Sequence, residues 1–174
     1  AAEVEYSGIG LHTGRSATLR LKPAPEDTGI VFRRVDVAGS PQIRADVSNV
    51  VRRPRQTALS AGGVEVQTAE HLLASLAGME VDNCMIDIDG EEVPGADGSA
   101  QAFVALLQKT GLREQPRERR VFKVREPISV SDGDVSLVAL PSHTEGLTAS
   151  YTLDYEGLKP QHFMRILVRA LLPL

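Results

Sequence analysis

Gln67-Thr68-Ala69-Glu70-His71-Leu72-Leu73-Ala74-Ser75-Leu76-Ala77-Gly78 is the stretch on which the reading of this chain turns. An apolar run from Leu72 to Ala77 that closes on glycine predicts a helix of about three turns, with Thr68 as its N-cap. The residues before it read differently. Residues 56–59 and 64–66 form two short runs around Ala61-Gly62-Gly63, the pattern of a β-hairpin. Further upstream, residues 16–21 alternate polar and apolar side chains, and Ile30-Val31-Phe32 is a second short strand beyond the break at Pro23-Ala24-Pro25-Glu26-Asp27. Downstream, residues 83–88 alternate as a strand, and Gly90 and Pro94 mark a loop. Asp97-Gly98-Ser99 then opens a second helix, in which Phe103, Leu106 and Leu107 recur at helical spacing until Gly111.

After Gly111 the pattern restarts. Residues 112–120 contain the polar, charged word Gln115-Pro116-Arg117-Glu118-Arg119, the best linker in the chain. Residues 121–124, 128–130, 135–140 and 147–153 read as a strand meander with Asp132-Gly133 as a turn. Residues 161–172 place Phe163, Ile166, Leu167, Ala170 and Leu171 on one face, which predicts a helix whose apolar stripe has no later element to pack on.

Composition narrows the function. With 174 residues, 42% hydrophobic and 24% charged, the chain has enough apolar material for a buried core. A formal net charge of -4 and only 4% aromatic residues give neither the basic field nor the stacking platforms of a nucleic-acid binder. The clusters Arg52, Arg53, Arg55 and Arg117, Arg119, Arg120 read as solvated loop charges, with phosphate contacts as the alternative. The single cysteine, Cys84, excludes an internal disulfide and sits in an apolar run, so packing is its expected role. No stretch approaches a membrane span and no signal segment opens the chain, so a cytoplasmic protein is expected. The chain begins Ala1-Ala2-Glu3, and its first methionine is Met79, so its original N-terminus is expected to be missing from this sequence.

Glu70-His71, at the start of the first helix, is the strongest chemical candidate. A neutral imidazole is a good zinc ligand, and an adjacent carboxylate can take a proton without binding the metal. Adjacent helical residues point about 100° apart, so the pair can address one site from slightly different sides. A solvent-facing helix start that merely carries both residues is the alternative.

Longer words around the dipeptide weigh against that alternative. Gly8-Ile9-Gly10-Leu11-His12-Thr13-Gly14, Leu21-Lys22-Pro23-Ala24-Pro25, Thr28-Gly29-Ile30-Val31-Phe32-Arg33-Arg34, Thr68-Ala69-Glu70-His71-Leu72-Leu73, Asp82-Asn83 and Pro94-Gly95-Ala96-Asp97-Gly98-Ser99-Ala100 follow in that order. Together they resemble the zinc-dependent UDP-3-O-acyl-N-acetylglucosamine deacetylases of lipid A synthesis, strongly to about Gly111 and loosely beyond Val121. The resemblance implies an α+β fold: a two-layer β-α-α-β sandwich domain over residues 1–111, a linker at 112–120 and the start of a similar second domain over 121–174. It further implies zinc as cofactor, His71 as a metal ligand, Glu70 as the general base, and His12 as a residue facing the same cleft. The substrate would be an acylated UDP-sugar, with no nucleic acid and no transmembrane segment involved. Asp97-Gly98-Ser99 matches the family and also serves as a helix cap, the role favoured here.

Two words depart from the family. Pro94-Gly95-Ala96-Asp97 replaces a bulkier loop, and Arg52-Arg53-Pro54-Arg55-Gln56-Thr57 replaces a more apolar one, so substrate contacts would differ at both. A third departure is larger. The family's other two zinc ligands are a His and an Asp four residues apart in the second domain, and a further His protonates the leaving amine. The four histidines here are His12, His71, His143 and His162, and none is followed four residues later by Asp. The expectation is therefore an incomplete N-terminal portion of a deacetylase, inactive alone and in need of the missing second-domain half. A non-enzymatic paralogue that keeps only the first domain as a binding module is the rival reading.

Overall fold

The computed structural model describes residues 2–119, 122–142, 147–153 and 161–168. The chain divides into two units, Ala1–Arg117 and Glu118–Leu174.

In chain order the first unit contains strands β1 (Val4–Ile9), β2 (Ser16–Pro23), β3 (Ile30–Arg34) and β4 (Gln42–Arg44). A 3-10 turn, Val47–Asn49, leads into β5 (Val50–Arg53), β6 (Gln56–Ala61) and β7 (Val64–Val66). Helix α1 (Glu70–Gly78), strand β8 (Cys84–Ile88) and helix α2 (Gln101–Thr110) complete it. Five strands form one sheet in the order β1-β2-β8-β3-β4, and β5-β6-β7 form a separate three-stranded sheet. Every pairing in the large sheet is antiparallel except β3 with β8, where Phe32 pairs with Ile86. A parallel pair needs a long crossover, and here the crossover carries β4 to β7 and α1.

The alternation in β2 sorts its side chains: Ala17, Leu19 and Leu21 are buried while Thr18, Arg20 and Lys22 face the more open side. Leu19 and Leu21 join Phe32, Ile43, Ile86 and Ile88 from the sheet, Leu72 and Leu76 from α1, and Phe103 and Leu107 from α2 in one core. Both helices thus cover one face of the large sheet, and Phe103 meets the ring of Tyr6 edge-on, 5.4 Å between centroids. The class is α+β. Cys84 belongs to the same core, and burial pushes its thiol up to about 11, which makes it a packing residue with little thiolate character.

The expected hairpin at 56–66 is β6 paired with β7. Gly111, at φ 69°, stops α2 as expected, with its N–H donated to the Leu107 carbonyl. Thr68 does not cap α1. The N-cap is Ala69, which lies in the helical region and makes no side-chain cap bond. Thr68 has φ 54°, and its hydroxyl is committed elsewhere, 2.9 Å from Glu92 Oε1. Asp97 and Ser99 do support the start of α2 one step removed. Asp97 Oδ1 accepts from the Ser99 N–H and hydroxyl, and Ser99 Oγ accepts from the Gln101 N–H. Of the arginine clusters, Arg53 makes a bidentate pair with Glu65, and Arg117 pairs with Asp27. Within the word expected as a linker, Gln115 belongs to the first unit and is bonded there to the Ala24 carbonyl and the Asn83 amide.

The second unit contains β9 (Ile128–Asp132), β10 (Val135–Ala139), β11 (Leu147–Leu153) and β12 (Gln161–Val168). β9 pairs with β10 and β11 with β12, both antiparallel. Residues 122–124 are not a strand. The helix expected over 161–172 is also absent across its described part. Residues 161–168 are instead β12, paired from Leu153↔Gln161 to Leu147↔Val168 with a shift at Ala149/Ser150. An apolar run of this length fits either periodicity, and the open edge of β11 selects the extended one by offering backbone partners. His143 lies outside the described residues.

Candidate functional site

β7 ends at Val66, and after three intervening residues α1 begins at Glu70. Between them the chain reverses through Thr68, a β-branched residue in the left-handed region, which costs energy and must be held by its surroundings. Several bonds hold it. The Ala69 N–H donates to the Thr57 carbonyl at 3.1 Å, and the Thr57 N–H donates to Glu70 Oε2 at 2.9 Å. Strand β6 therefore grips the helix start at two consecutive residues. Glu70 is half-buried, in the first turn of α1, where a carboxylate also meets the positive end of the helix dipole. Its Oε2 is tied to Thr57, which fixes the orientation of the carboxylate.

His71 follows, half-buried, on the adjacent face of the helix. Nearby, hydrogen bonds from Ser99 hold the Asp97 carboxyl below the usual carboxylate range, with a smaller lowering from the neighbouring His71. The loop expected to be small at Pro94-Gly95-Ala96-Asp97 packs tightly: the Gly95 N–H donates to the Ile9 carbonyl, and a Cβ on Gly95 would press on Leu11 at 3.3 Å.

His12 reaches this region by its backbone. The turn between β1 and β2 is closed by Gly10 N–H to Arg15 O and Gly14 N–H to Gly10 O. From that turn His12 and Thr13 donate their N–H groups to the two oxygens of Glu92, at 2.8 and 2.7 Å. The His12 side chain stays exposed. Glu92, 2% exposed, also accepts from the Thr68 hydroxyl. Burial alone would raise its pKa. The hydrogen bonds from Thr13, His12 and Thr68 outweigh it and hold the carboxyl below the usual range, so Glu92 is a buried anion at neutral pH.

Sequence reading names Glu70, His71 and His12 as candidates and passes over the residues that brace the helix start, Glu92, Thr57 and Gln56, the last of which shares the Thr68 hydroxyl. Glu91-Glu92 looks like a solvated acidic pair. The one signal is Glu92's place between a turn-forming Gly90 and Pro94, where an extended segment can be buried edge-on. A polar cavity of about 170 Å³ lies beside Glu92, lined by Thr13, Arg15, Arg34, Asp36 and Asp89 among others. It is smaller than ordinary ligand pockets and includes neither Glu70 nor His71.

Among the described residues, no three His, Cys, Asp or Glu side chains stand together so as to hold a metal ion. The donor set at the helix start is one imidazole with an acidic neighbour, short of the three protein ligands of a catalytic zinc. No described helix is long and apolar enough to cross a membrane.

Comparison with known proteins gives this arrangement a context. The model of the LpxC family, UDP-3-O-acyl N-acetylglycosamine deacetylase, matches residues 1–168. The UDP-3-O-acyl-N-acetylglucosamine deacetylase of Saccharophagus degradans is 44% identical over 154 residues, 88% of this chain and 50% of that protein. Its counterpart in Citrifermentans bemidjiense is 43% identical over 156 residues, 90% of this chain and 51% of that protein. The chain spans about half the length of the curated relatives it matches.

Proposed function

The chain belongs to the UDP-3-O-acyl N-acetylglycosamine deacetylase family, and from that premise we propose that it is the N-terminal portion of a zinc-dependent amidase of lipid A synthesis. The reaction is hydrolysis of the N-acetyl group of UDP-3-O-acyl-N-acetylglucosamine, one water consumed and acetate and a free amine released, in the cytoplasm. Residues 1–111 are the first two-layer β-α-α-β domain, residues 112–120 the linker, and residues 121–174 the opening of a similar second domain.

The observation that carries this reading is the Glu70-His71 pair, gripped by Thr57 at the start of α1, in a chain matched by the family along nearly its whole length. His71 is one ligand, and the others come from the half of the relatives that this chain does not span. Zinc, when bound, polarises a carbonyl and makes water more acidic. Glu70, with Oε2 fixed by the Thr57 N–H, takes the proton of the attacking water on Oε1. His12 faces the same cleft from the β1–β2 turn.

Fusion to the missing portion of a close relative tests the assignment. In that fusion Glu70→Gln is expected to keep its zinc and lose turnover by at least about a hundredfold, the scale of a lost general base. His71→Ala is expected to lose metal and turnover together. Turnover within a few-fold of the parent in Glu70→Gln ends the base assignment, and full zinc content in His71→Ala ends the ligand assignment. A parent fusion with full zinc and no acetate release would favour the binding-module reading.

A further inference from the structure

Residues 91–95 run as an extended strap between two segments distant in sequence. On one side Gln67 donates its N–H to the Glu91 carbonyl at 2.8 Å and accepts from the Val93 N–H at 3.0 Å, just before the left-handed Thr68. On the other side the Gly95 N–H reaches the Ile9 carbonyl, and Gly10 bridges to Pro94. The Glu92 side chain repeats this double attachment, taking the N–H groups of His12 and Thr13 from one segment and the Thr68 hydroxyl from the other. Gly10 leaves room for it. A Cβ there would collide with the Glu92 carboxylate and with Thr13 Oγ1.

We propose that Glu92 is a positioning residue of the site: its buried carboxylate locks the His12 turn to the start of α1 and so fixes where Glu70 and His71 stand relative to that turn. The proposal rests on the reading of Glu70 and His71 as site residues. The groups bonded to Glu92 are all donors, the N–H groups of His12 and Thr13 and the hydroxyls of Thr13 and Thr68, so the position needs an acceptor at both oxygens. Glutamine keeps the volume and turns one of the two into an N–H donor aimed at another donor. Aspartate is one methylene too short to reach both segments. A buried donor left without its acceptor must move toward water, and either the turn or the helix start moves with it.

The test reads position first and turnover second. In the 174-residue chain, ¹H–¹⁵N spectra are expected to show the His12 and Thr13 amides protected although their turn is exposed. Glu92→Gln is expected to speed their exchange at least about tenfold and to shift the amides of Thr68 to His71 and the ring signals of both histidines. Thr68→Val removes the link from Glu92 to the α1 start, together with the Thr68 hydroxyl's bond to Gln56, and leaves the bonds of His12 and Thr13 to Glu92 in place. It should shift the α1 start and leave the His12 and Thr13 amides protected, and it decides the matter if Glu92→Gln does not fold. Changes confined to residues 12 and 13 in Glu92→Gln, or none at the α1 start in Thr68→Val, overturn the proposal. In the fusion, Glu92→Gln is expected to lower kcat about tenfold to a hundredfold with KM little changed, as when a supporting hydrogen bond is lost. Leu107→Ala, in the core of α2, is the control. If it lowers kcat as much at equal loss of melting temperature, the effect is general destabilisation and the positioning role is wrong. An inactive parent fusion would remove the proposed activity and leave the spectra to judge Glu92 alone.

Discussion

Asp87 is the penultimate residue of β8, 5% exposed, with its carboxylate between two cations from neighbouring strands. Arg33 clasps both its oxygens, at 2.7 and 2.6 Å, and Lys22 Nζ stands 2.8 Å from Oδ2. Burial works to raise its pKa, but the bonds and charges of Arg33 and Lys22 prevail, so Asp87 is held below the usual carboxylate range. Glu92 is lowered in the same sense by its own donors. For both groups the folded pKa lies under the unfolded one. Their stabilisation is fully present above the unfolded values, 3.8 and 4.5, and is lost as pH falls through the folded values. Asp87→Asn leaves Arg33 and Lys22 facing each other without an anion and is expected to cost about 1–3 kcal/mol near neutral pH. Urea unfolding of parent and variant from pH 7 down to pH 3 checks this. The gap between the two should be constant at higher pH, begin to narrow below about pH 4 and go on narrowing toward the folded value, and a gap that has not narrowed at all by pH 3 would show that charge is not its cause. None of this is visible in the sequence. Asp87 looks like the polar half of an alternating strand, and only the β2–β8–β3 register brings Lys22 and Arg33 to either side of it. Glu70-His71, by contrast, is legible because its helix is local and both residues are adjacent in the chain.

At the scale of elements, the parts the sequence announces are those whose cause is local. The β6–β7 hairpin follows from its glycine turn, α2 from apolar spacing and a glycine stop, and β2 from strict alternation. β1 gives a weaker signal, the single short alternation Val4-Glu5-Tyr6-Ser7 before Gly8, and pairing with β2 completes the strand. Thr68 misleads because a hydroxyl before a helix suits a cap, while a buried carboxylate across the fold is the stronger acceptor. Residues 161–168 mislead because the helical stripe and the strand compete on equal terms until β11 supplies an edge. The β9–β10 hairpin shows what an element lacks when only its own partner holds it. Ile128, Val130, Val135, Leu137 and Val138 are all exposed, whereas β2 and β8 lie on the core of the first unit. Two strands alone are marginal in water. Amides paired between β9 and β10 are therefore expected to exchange about a hundredfold or more faster than those between β2 and β8. Equal protection in the two pairs would mean that the β9–β10 faces are covered in solution.

At the scale of the whole molecule, the first unit has a core, two helices on one face of its sheet and a braced helix start, yet its described residues stop short of a metal site. The reason is one of ligand number. His71 is the one imidazole at the α1 start, Asp97 is its acidic neighbour, and the second oxygen of Glu70 is already taken by Thr57. Each protein ligand removed from a three-ligand zinc site leaves water in its place and weakens binding steeply. The 174-residue chain by itself is therefore expected to take up zinc weakly, to lose it on dialysis against metal-free buffer, and to release no acetate from UDP-3-O-acyl-N-acetylglucosamine. Metal content after dialysis and acetate release on the same sample decide the point. The two measurements must agree for the ligand count to hold. Zinc retained at one ion per chain together with acetate release would mean that this chain already contains the remaining ligands, and that His71 is not the lone member of the set. Zinc lost from the parent chain and equally from His71→Ala, with the fusion still active in both, would mean instead that the metal is held entirely by the portion this chain does not span.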